Sequence, residues 1–466
     1  MGAIDYESLC LMLGDTRLRI ISLAVSEGVG RHGYLTAEAE TGVEEKDYLL
    51  YEEKGNVALY AVMDGSPRLL FGGSLTRMEV HTAGGRCEVR LKAATWSSKM
   101  DADVRNRSFQ DTAMTLRQLI GKVMEPYPSK QLLFSIPDVE MGRIAIQYQE
   151  TDWAFLNRLL SGFGSALCVD SAAQGICLRA GLMDTEEDAD WDTLPYTVSR
   201  DTAPADVGRK LKGQMCYRVE AYDIFPPGEK VRFHGRNLYI GKAERAVAGG
   251  LFVSTYSLYF REGLAVSRYY NPYLTGVSIN GYVQTVMRDR LQARLETDAL
   301  PGGKKQYFFP FSTVAASPDG SGWYCMPKEG DMVRVFFPTW DEGDGYAIAS
   351  IKGESAPAED SPVWDTDLKD ITAPDGKTVR FIKDGIQVST AGGKAAVRLT
   401  NDGKAEIRAD EERDIQIWAE SEIRFTAQEA MVVAAGRTIE IENSSGGNIK
   451  MERNTIEIEA SIINNN

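Results

Sequence analysis

Residues 407–458 read IRADEERDIQIWAESEIRFTAQEAMVVAAGRTIEIENSSGGNIKMERNTIEI. Apolar residues recur there as pairs split by one position: Ile407 opens the series, then come Ile415/Ile417, Ile423/Phe425, Met431/Val433 and Ile439/Ile441. The first members lie eight residues apart four times in a row, and after Ser444-Ser445-Gly446-Gly447 the pattern resumes at Ile449/Met451 and Ile456/Ile458. Alternation of period two predicts strands with one buried face. An octad holds one short strand and a corner, too little to wrap a core of its own. A single-chain solenoid needs several strands per coil, and the stretch has no longer superperiod. The economical arrangement is an intertwined triple-stranded β-helix, a homotrimer in which each chain lays one strand into every layer of a triangular prism. The apolar pairs then meet on the axis, while Gln416, Glu422, Arg424, Glu440, Glu442, Lys450 and Glu457 face water. With strands about 4.8 Å apart, roughly nine such units make a rod of about 40–45 Å. Closure also removes the open lateral edges that invite aggregation. An antiparallel meander within one chain is the other arrangement these pairs allow, although meander strands seldom keep a strict octad.

Upstream, Val379/Phe381, Ile386/Val388 and Val397/Leu399 extend the series at less regular spacing. Lys383-Asp384-Gly385, Gly392-Gly393 and Asn401-Asp402-Gly403 supply turns between them. The needle-like segment is thus expected over 377–466, behind a Pro-, Ala- and Asp-rich linker at 356–376.

Residues 276–355 predict a small closed barrel of the OB type. Its strand candidates are Ile279–Val286, Leu291–Leu295, Phe308–Ala315, Trp323–Met326, Met332–Phe337 and Tyr346–Ile351. Turn signals separate them at Pro301-Gly302-Gly303, Asp319-Gly320-Ser321-Gly322, Lys328-Glu329-Gly330-Asp331 and Glu342-Gly343-Asp344-Gly345.

The first 275 residues predict a mainly β assembly with a small α+β element: a β-barrel-like domain over 1–100, a helical or mixed segment over 101–200 and a second β-barrel-like domain over 201–275. One helix is expected near Phe109–Met124, started by Ser108 with Asp111 three residues on. A second, Thr151–Phe163, carries Trp153, Phe155, Leu156, Leu159, Leu160 and Phe163 on one broad face and is expected to be buried along it.

Two strings carry a family resemblance. Ile144-Ala145-Ile146-Gln147-Tyr148-Gln149-Glu150-Thr151-Asp152-Trp153-Ala154-Phe155-Leu156-Asn157-Arg158-Leu159-Leu160 resembles the hub signature of the VgrG and phage late-control proteins, the spikes of contractile injection systems. There a strand ending in Gln-Tyr-x-Glu-x-Asp leads into a helix, which marks Gln147, Tyr148, Glu150, Asp152, Trp153, Phe155, Leu159 and Leu160 as structural positions. Gly322 to Phe337, with Pro327-Lys328-Glu329-Gly330-Asp331 inside it, is similar to the OB barrel of the same family, and Asp341 to Gly345 falls where that family has a Gly-Asp loop. With the octad tail these strings follow the family order along the whole chain. The resemblance implies two similar hub barrels per chain, so that a trimer offers six to a sixfold tube. It also implies a force-transmitting baseplate hub and spike, with a hexameric inner-tube protein and other baseplate proteins as partners. A small PAAR-like tip protein, effector cargo and the target cell envelope complete the expected partners.

Composition narrows the function classes. The formal net charge of -15 disfavours nucleic acid as a partner, and the loops around the predicted barrel (Asp319, Asp341, Glu342, Asp344) are acidic. The six cysteines are scattered without a C-x-x-C pair, as in reduced, packed thiols. His32, His81 and His234 stand far apart, so no metal or other cofactor is expected. No nucleophile elbow or phosphate loop occurs in a strand–turn–helix context. The acidic run Asp184 to Asp192 reads as a solvated loop rather than a glycosidase pair. The segment Glu354–Ala373 is too short to hold a hydrolase, so a non-enzymatic protein is expected; a spike-borne cell-wall hydrolase and a trimeric receptor-binding fibre are the alternatives. The N-terminus lacks a basic region followed by an apolar run, so no signal peptide is expected, nor any transmembrane helix. The product is expected to be made in the cytoplasm and carried in an assembled particle.

Overall fold

In a computed structural model of the chain, the described residues are 3–42, 55–63, 65–83, 86–187, 189–200, 215–300, 303–314, 325–351, 367–373, 375–410 and 413–463. Trp323 and Tyr324 of one expected strand, the turns at Pro301-Gly302 and Asp319 to Gly322, Asp188, the expected linker up to residue 366 and Asn464 to Asn466 lie outside them. Two compact units result, Met1–Gly353 and Glu354–Asn466.

The fold is mainly β. Six strands close the first barrel in a ring: Leu9–Leu13, Thr16–Gly28, Tyr34–Thr41, Arg86–Thr95, Ser66–Ala83 and Asn56–Met63, the last returning to the first. Strict alternation aims Leu11, Leu13, Leu35, Val57, Leu59, Phe71 and Val89 into its core. A second set is near-closed, with Tyr196–Arg200, Met215–Ala221, Leu251–Tyr259, Arg236–Ala248 and Lys230–Phe233 pairing antiparallel in that order. It packs around Trp191, Phe233, Tyr256 and Leu258.

Sequence reading keeps the two β sections apart, whereas the chain makes them one 13-stranded sheet. Arg236–Ala248 pairs with Thr16–Gly28 from Lys242 opposite Gly28 to Ala246 opposite Ala24. Across that seam the Arg245 guanidinium donates to Glu27 and, at 2.7 Å, to the carbonyl of Phe225, and both ionic side chains are buried. Burial pushes the Glu27 carboxyl up, with Arg245 acting against that shift.

Between the β sections lie helices α1 (Leu116–Met124) and α2 (Asp152–Ser161). Helix α1 starts later than expected. Ser108 lies in the strand Val104–Phe109, which pairs with Ala145–Thr151, and its hydroxyl donates to Asp298 Oδ1 at 2.7 Å instead of capping a helix. The cap is Thr115, whose Oγ1 accepts from Gln118 N at 3.3 Å while Gln118 Oε1 accepts from Thr115 N at 3.0 Å. Helix α2 is buried on every side, not along one face alone, and only Ala154 is exposed.

The five-stranded OB barrel runs Phe309–Pro310, Arg290–Leu295, Val277–Met287, Met332–Phe337, Tyr346–Ile351. Phe311 bridges to Ala347, with Ser312 N donating to Ala347 O at 2.8 Å, which closes the ring. The Pro327–Asp331 turn is fixed by Asp331 Oδ2 accepting from Lys328 N at 2.7 Å, and Gly330 sits at φ 91°, a backbone that side chains resist. Asp298 ties this barrel to the mixed segment, accepting from Ser108 Oγ, from Gln110 Nε2 at 2.8 Å and from Leu295 N at 2.9 Å. Burial raises its carboxyl above the usual range. A carboxyl raised by folding stabilises the fold below its ordinary range and loses that contribution as pH rises through the raised value. Melting of the intact chain should therefore gain from acidification through that window more than melting of Asp298→Asn does. Parallel pH–melting curves for the two proteins would contradict this reading.

The unit Glu354–Asn466 divides into three stretches. Lys369–Thr372, Thr378–Ile382, Gly385–Ser389, Ala395–Thr400 and Ala405–Ala409 form an antiparallel five-stranded meander within the chain. Thr438–Glu442, Asn448–Glu452 and Thr455–Glu459 form a three-stranded one. Between them the strict octad forms no strand, and among the described residues no backbone hydrogen bond joins residues 414–437 to any other part of the chain.

Candidate functional site

Two features of the chain are candidates for function: the knot built on the hub signature and the apolar face of the C-terminal unit.

The knot begins at a bulge. Register in the Ala145–Thr151 strand shifts between Gln147 and Glu150, where Gln149 takes φ 50° and its N–H donates to Asn106 Oδ1 at 2.8 Å. The bulge turns Glu150 towards α2, where Arg158 Nε donates to Glu150 Oε1 at 2.7 Å and Arg158 NH2 to Oε2 at 2.8 Å. Arg158 NH1 donates to Glu342 Oε1 at 2.6 Å and NH2 to the carbonyl of Ile146 at 2.7 Å. Glu342 was expected on an acidic loop. It is only 2% exposed and joins the OB barrel to the hub helix. Burial raises the Glu150 carboxyl, with Arg158 opposing, and against the same burial the two carboxylates hold Arg158 more firmly protonated.

Gln147 Oε1 accepts from Arg107 Nε at 2.8 Å, while its Nε2 donates to Glu150 O at 2.9 Å and to Asp152 Oδ1 at 3.0 Å. Asp152 also receives Arg107 and, at 2.7 Å, the hydroxyl of Tyr127, whose own ionisation is pushed up by burial and by that carboxylate. The Tyr148 carbonyl accepts from Asn271 Nδ2 at 2.6 Å. Phe155, Leu159 and Leu160 are fully enclosed in the core between α1 and α2. The polar positions of the signature are thus mutually satisfied, which suits a rigid joint. Arg107, Tyr127, Arg158, Asn271 and Glu342 complete it, and only Arg158 lay inside the quoted string.

Thr151 caps α2, its Oγ1 accepting from Ala154 N at 3.1 Å while donating to Asp101. Thr151→Ala should cost about 1–2 kcal/mol, the ordinary value of an N-cap plus a hydrogen bond. Chemical denaturation checks this, and an unchanged midpoint would contradict it.

Beside this cap stands an arrangement with the composition of a hydrolytic triad. His32 Nδ1 lies 2.8 Å from Ser97 Oγ and Nε2 lies 2.9 Å from Asp101 Oδ2. Ser97 is 0% exposed, its hydroxyl is shared with Thr95 Oγ1 at 2.9 Å, and the Trp153 ring covers the imidazole at 4.0 Å. A nucleophile sealed in this way meets no substrate, so the trio serves packing. Among the described residues no group of three or more His, Cys, Asp or Glu side chains is placed to hold a metal ion. Among the described residues no helix is long and apolar enough to cross a membrane.

In the C-terminal unit, register aligns the apolar pairs on one face. Val379 lies opposite Val388, Phe381 opposite Ile386, Val388 opposite Val397, Ile386 opposite Leu399 and Val397 opposite Ile407. In the terminal sheet Ile439 faces Met451, Ile441 faces Ile449, Ile449 faces Ile458 and Met451 faces Ile456. In the octad, Ile415, Ile417, Ile423, Phe425, Met431 and Val433 are 43–66% exposed. Their spacing had implied burial, and among the described residues of a single chain nothing buries them. Such a continuous apolar strip belongs in an interface.

Residues 34–207 match the model of the phage tail baseplate hub family. No curated protein sequence matches the chain. The fold is similar to that of the Escherichia coli c3393 protein, described as a type VI secretion component resembling the T4 bacteriophage tail proteins gp27 and gp5. That likeness has a TM-score of 0.53 at 12% identity, over 73% of this chain and 99% of that one. It is also similar to a chain of the Francisella PdpA–VgrG complex, with a TM-score of 0.52 at 8% identity over 86% of this chain and 87% of that one. The fold is shared with these proteins, and the chain resembles the VgrG and phage baseplate hub family in that fold and in the hub-domain match over residues 34–207.

Proposed function

We propose that three copies of this chain form the hub and needle of a contractile injection system, docked under a sixfold inner tube and driven through a target envelope when the sheath contracts. The observation that carries this reading is the octad. Its backbone between residues 414 and 437 has no in-chain hydrogen bonds among the described residues, and its apolar pairs are exposed. Unpaired backbone and an apolar strip both call for partners. An eight-residue repeat is answered strand for strand by the same repeat in two other copies. The trimer core then comprises Ile407, Ile415, Ile417, Ile423, Phe425, Met431, Val433, Ile439, Ile441, Ile449, Met451, Ile456 and Ile458. The β sections give each chain two barrel-like bodies, six in a trimer, which supports a match to a hexameric tube ring.

The buried knot makes the hub rigid, as a force-transmitting joint requires. Other baseplate proteins surround the trimer, a small tip protein of the PAAR kind covers the last layer, and effector cargo travels with it. Tubes polymerised with the purified chain should show one capped end in electron micrographs, and tubes open at both ends would contradict docking. A cell-wall digestion assay tests the hydrolase alternative, and release of soluble wall fragments by the pure chain would favour it.

A further inference from the structure

The octad ends where the chain again pairs with itself. First members of the apolar pairs are eight residues apart up to Ile439, but the next steps are ten, to Ile449, and seven, to Ile456. The longer step is taken up by a built turn: Asn443 Oδ1 accepts from Ser445 N at 2.9 Å and Gly447 N at 3.1 Å, and Gly446 sits at φ 92°. The second turn puts Arg453 at φ 52°. On one face of the resulting sheet lie Ile439, Ile441, Ile449, Met451, Ile456 and Ile458. On the other, Lys450 stands between Glu440 and Glu457 in register, and Asn448 Nδ2 donates to Glu440 Oε1 at 3.0 Å. The charged face, with Glu440, Glu442, Glu452, Glu457 and Glu459 around Lys450, is content in water, so the apolar face is the one that needs a cover. In sequence its row continues Met431/Val433 of the octad by the same eight-residue step to Ile439/Ile441, which points to one cover for the octad and this sheet.

We propose that residues 438–459 are a terminal clasp in which each chain keeps its own three-stranded sheet and three copies close their apolar faces on one another. The clasp rests on the trimeric reading above and adds that intertwining stops before residue 438. It also gives the needle something a pure octad lacks. A slip by eight residues sets Ile415/Ile417 level with Ile423/Phe425 and keeps every apolar pair inward, so register there is weakly specified. Steps of ten and seven have no such self-match, and three clasps meet in one register only.

The test uses the full chain with the exposed Cys325 replaced by serine and two double variants, Lys450→Cys/Glu457→Cys and Glu440→Cys/Lys450→Cys. A strand residue aims its N–H and C=O at one neighbour only, so one of these two pairs is of the non-hydrogen-bonded kind, whose close side chains accept a disulfide. After mild oxidation of the native trimer, one variant should run as a single chain on a non-reducing denaturing gel and lose two free thiols. Chains linked to one another, or no disulfide in either variant, would overturn the clasp and leave the trimeric needle standing. A parent chain that is monomeric before oxidation would instead overturn the trimeric reading itself.

Discussion

Ile423→Asp, and Ile415→Asp with it, should abolish the trimer. In the proposed prism each substitution sets three carboxylates side by side on the axis. A polar group buried without a partner costs about 2–7 kcal/mol, and an ionised carboxylate more. Three like charges in contact have no cation to answer them. The expected result is a monomer by light scattering whose hub circular dichroism is unchanged, because hub and needle are separate compact units. Arg424→Asp is the control: Arg424 pairs with Glu422 at 2.7 Å on the wet face, so its loss should leave the trimer intact. A monodisperse trimer from either isoleucine variant would remove the axial core from the account.

Arg158→Met should be the most damaging single change in the hub. It leaves Glu150 and Glu342 enclosed with no cation between them and frees the Ile146 carbonyl. Removing one partner of a buried ion pair costs about 3–5 kcal/mol. The hub transition in calorimetry should fall to lower temperature, and Arg158→Met/Glu342→Gln should recover part of the loss. Arg19→Ala supplies the contrast: that side chain is 81% exposed and meets Glu40 at 3.4 Å, so its loss should cost less than about 1 kcal/mol. Equal effects from Arg158 and Arg19 would contradict a buried joint.

The octad was legible because periodicity needs no knowledge of what lies across space. What it could not tell was who supplies the hydrogen bonds. Val388 opposite Val397 within one chain leaves the same alternation in the sequence as a pairing between chains. Only the irregular steps at 379–407 and 439–458 mark the in-chain sheets, and sequence reading took them as noise in one series.

The hub was legible as β, then mixed, then β. Its fusion into one sheet was not, since Thr16–Gly28 meets Arg236–Ala248 across more than two hundred residues and neither strand carries a local mark of the other. Ser108 misled because a serine before an acidic residue mimics a cap, while its hydroxyl serves Asp298 far along the chain. The better signal, Thr115 with Gln118, stood a few residues on. Glu342 was hidden for a related reason: an acid between glycines and aspartates looks solvated until Arg158 is found beside it.

The central claim is that the exposed strip from Ile415 to Val433 is covered by two more copies of the same chain. Sedimentation equilibrium of the purified full-length chain tests this most directly. The account predicts a single species of three chain masses across the concentration range; a stable monomer, with the octad uncovered, would contradict it.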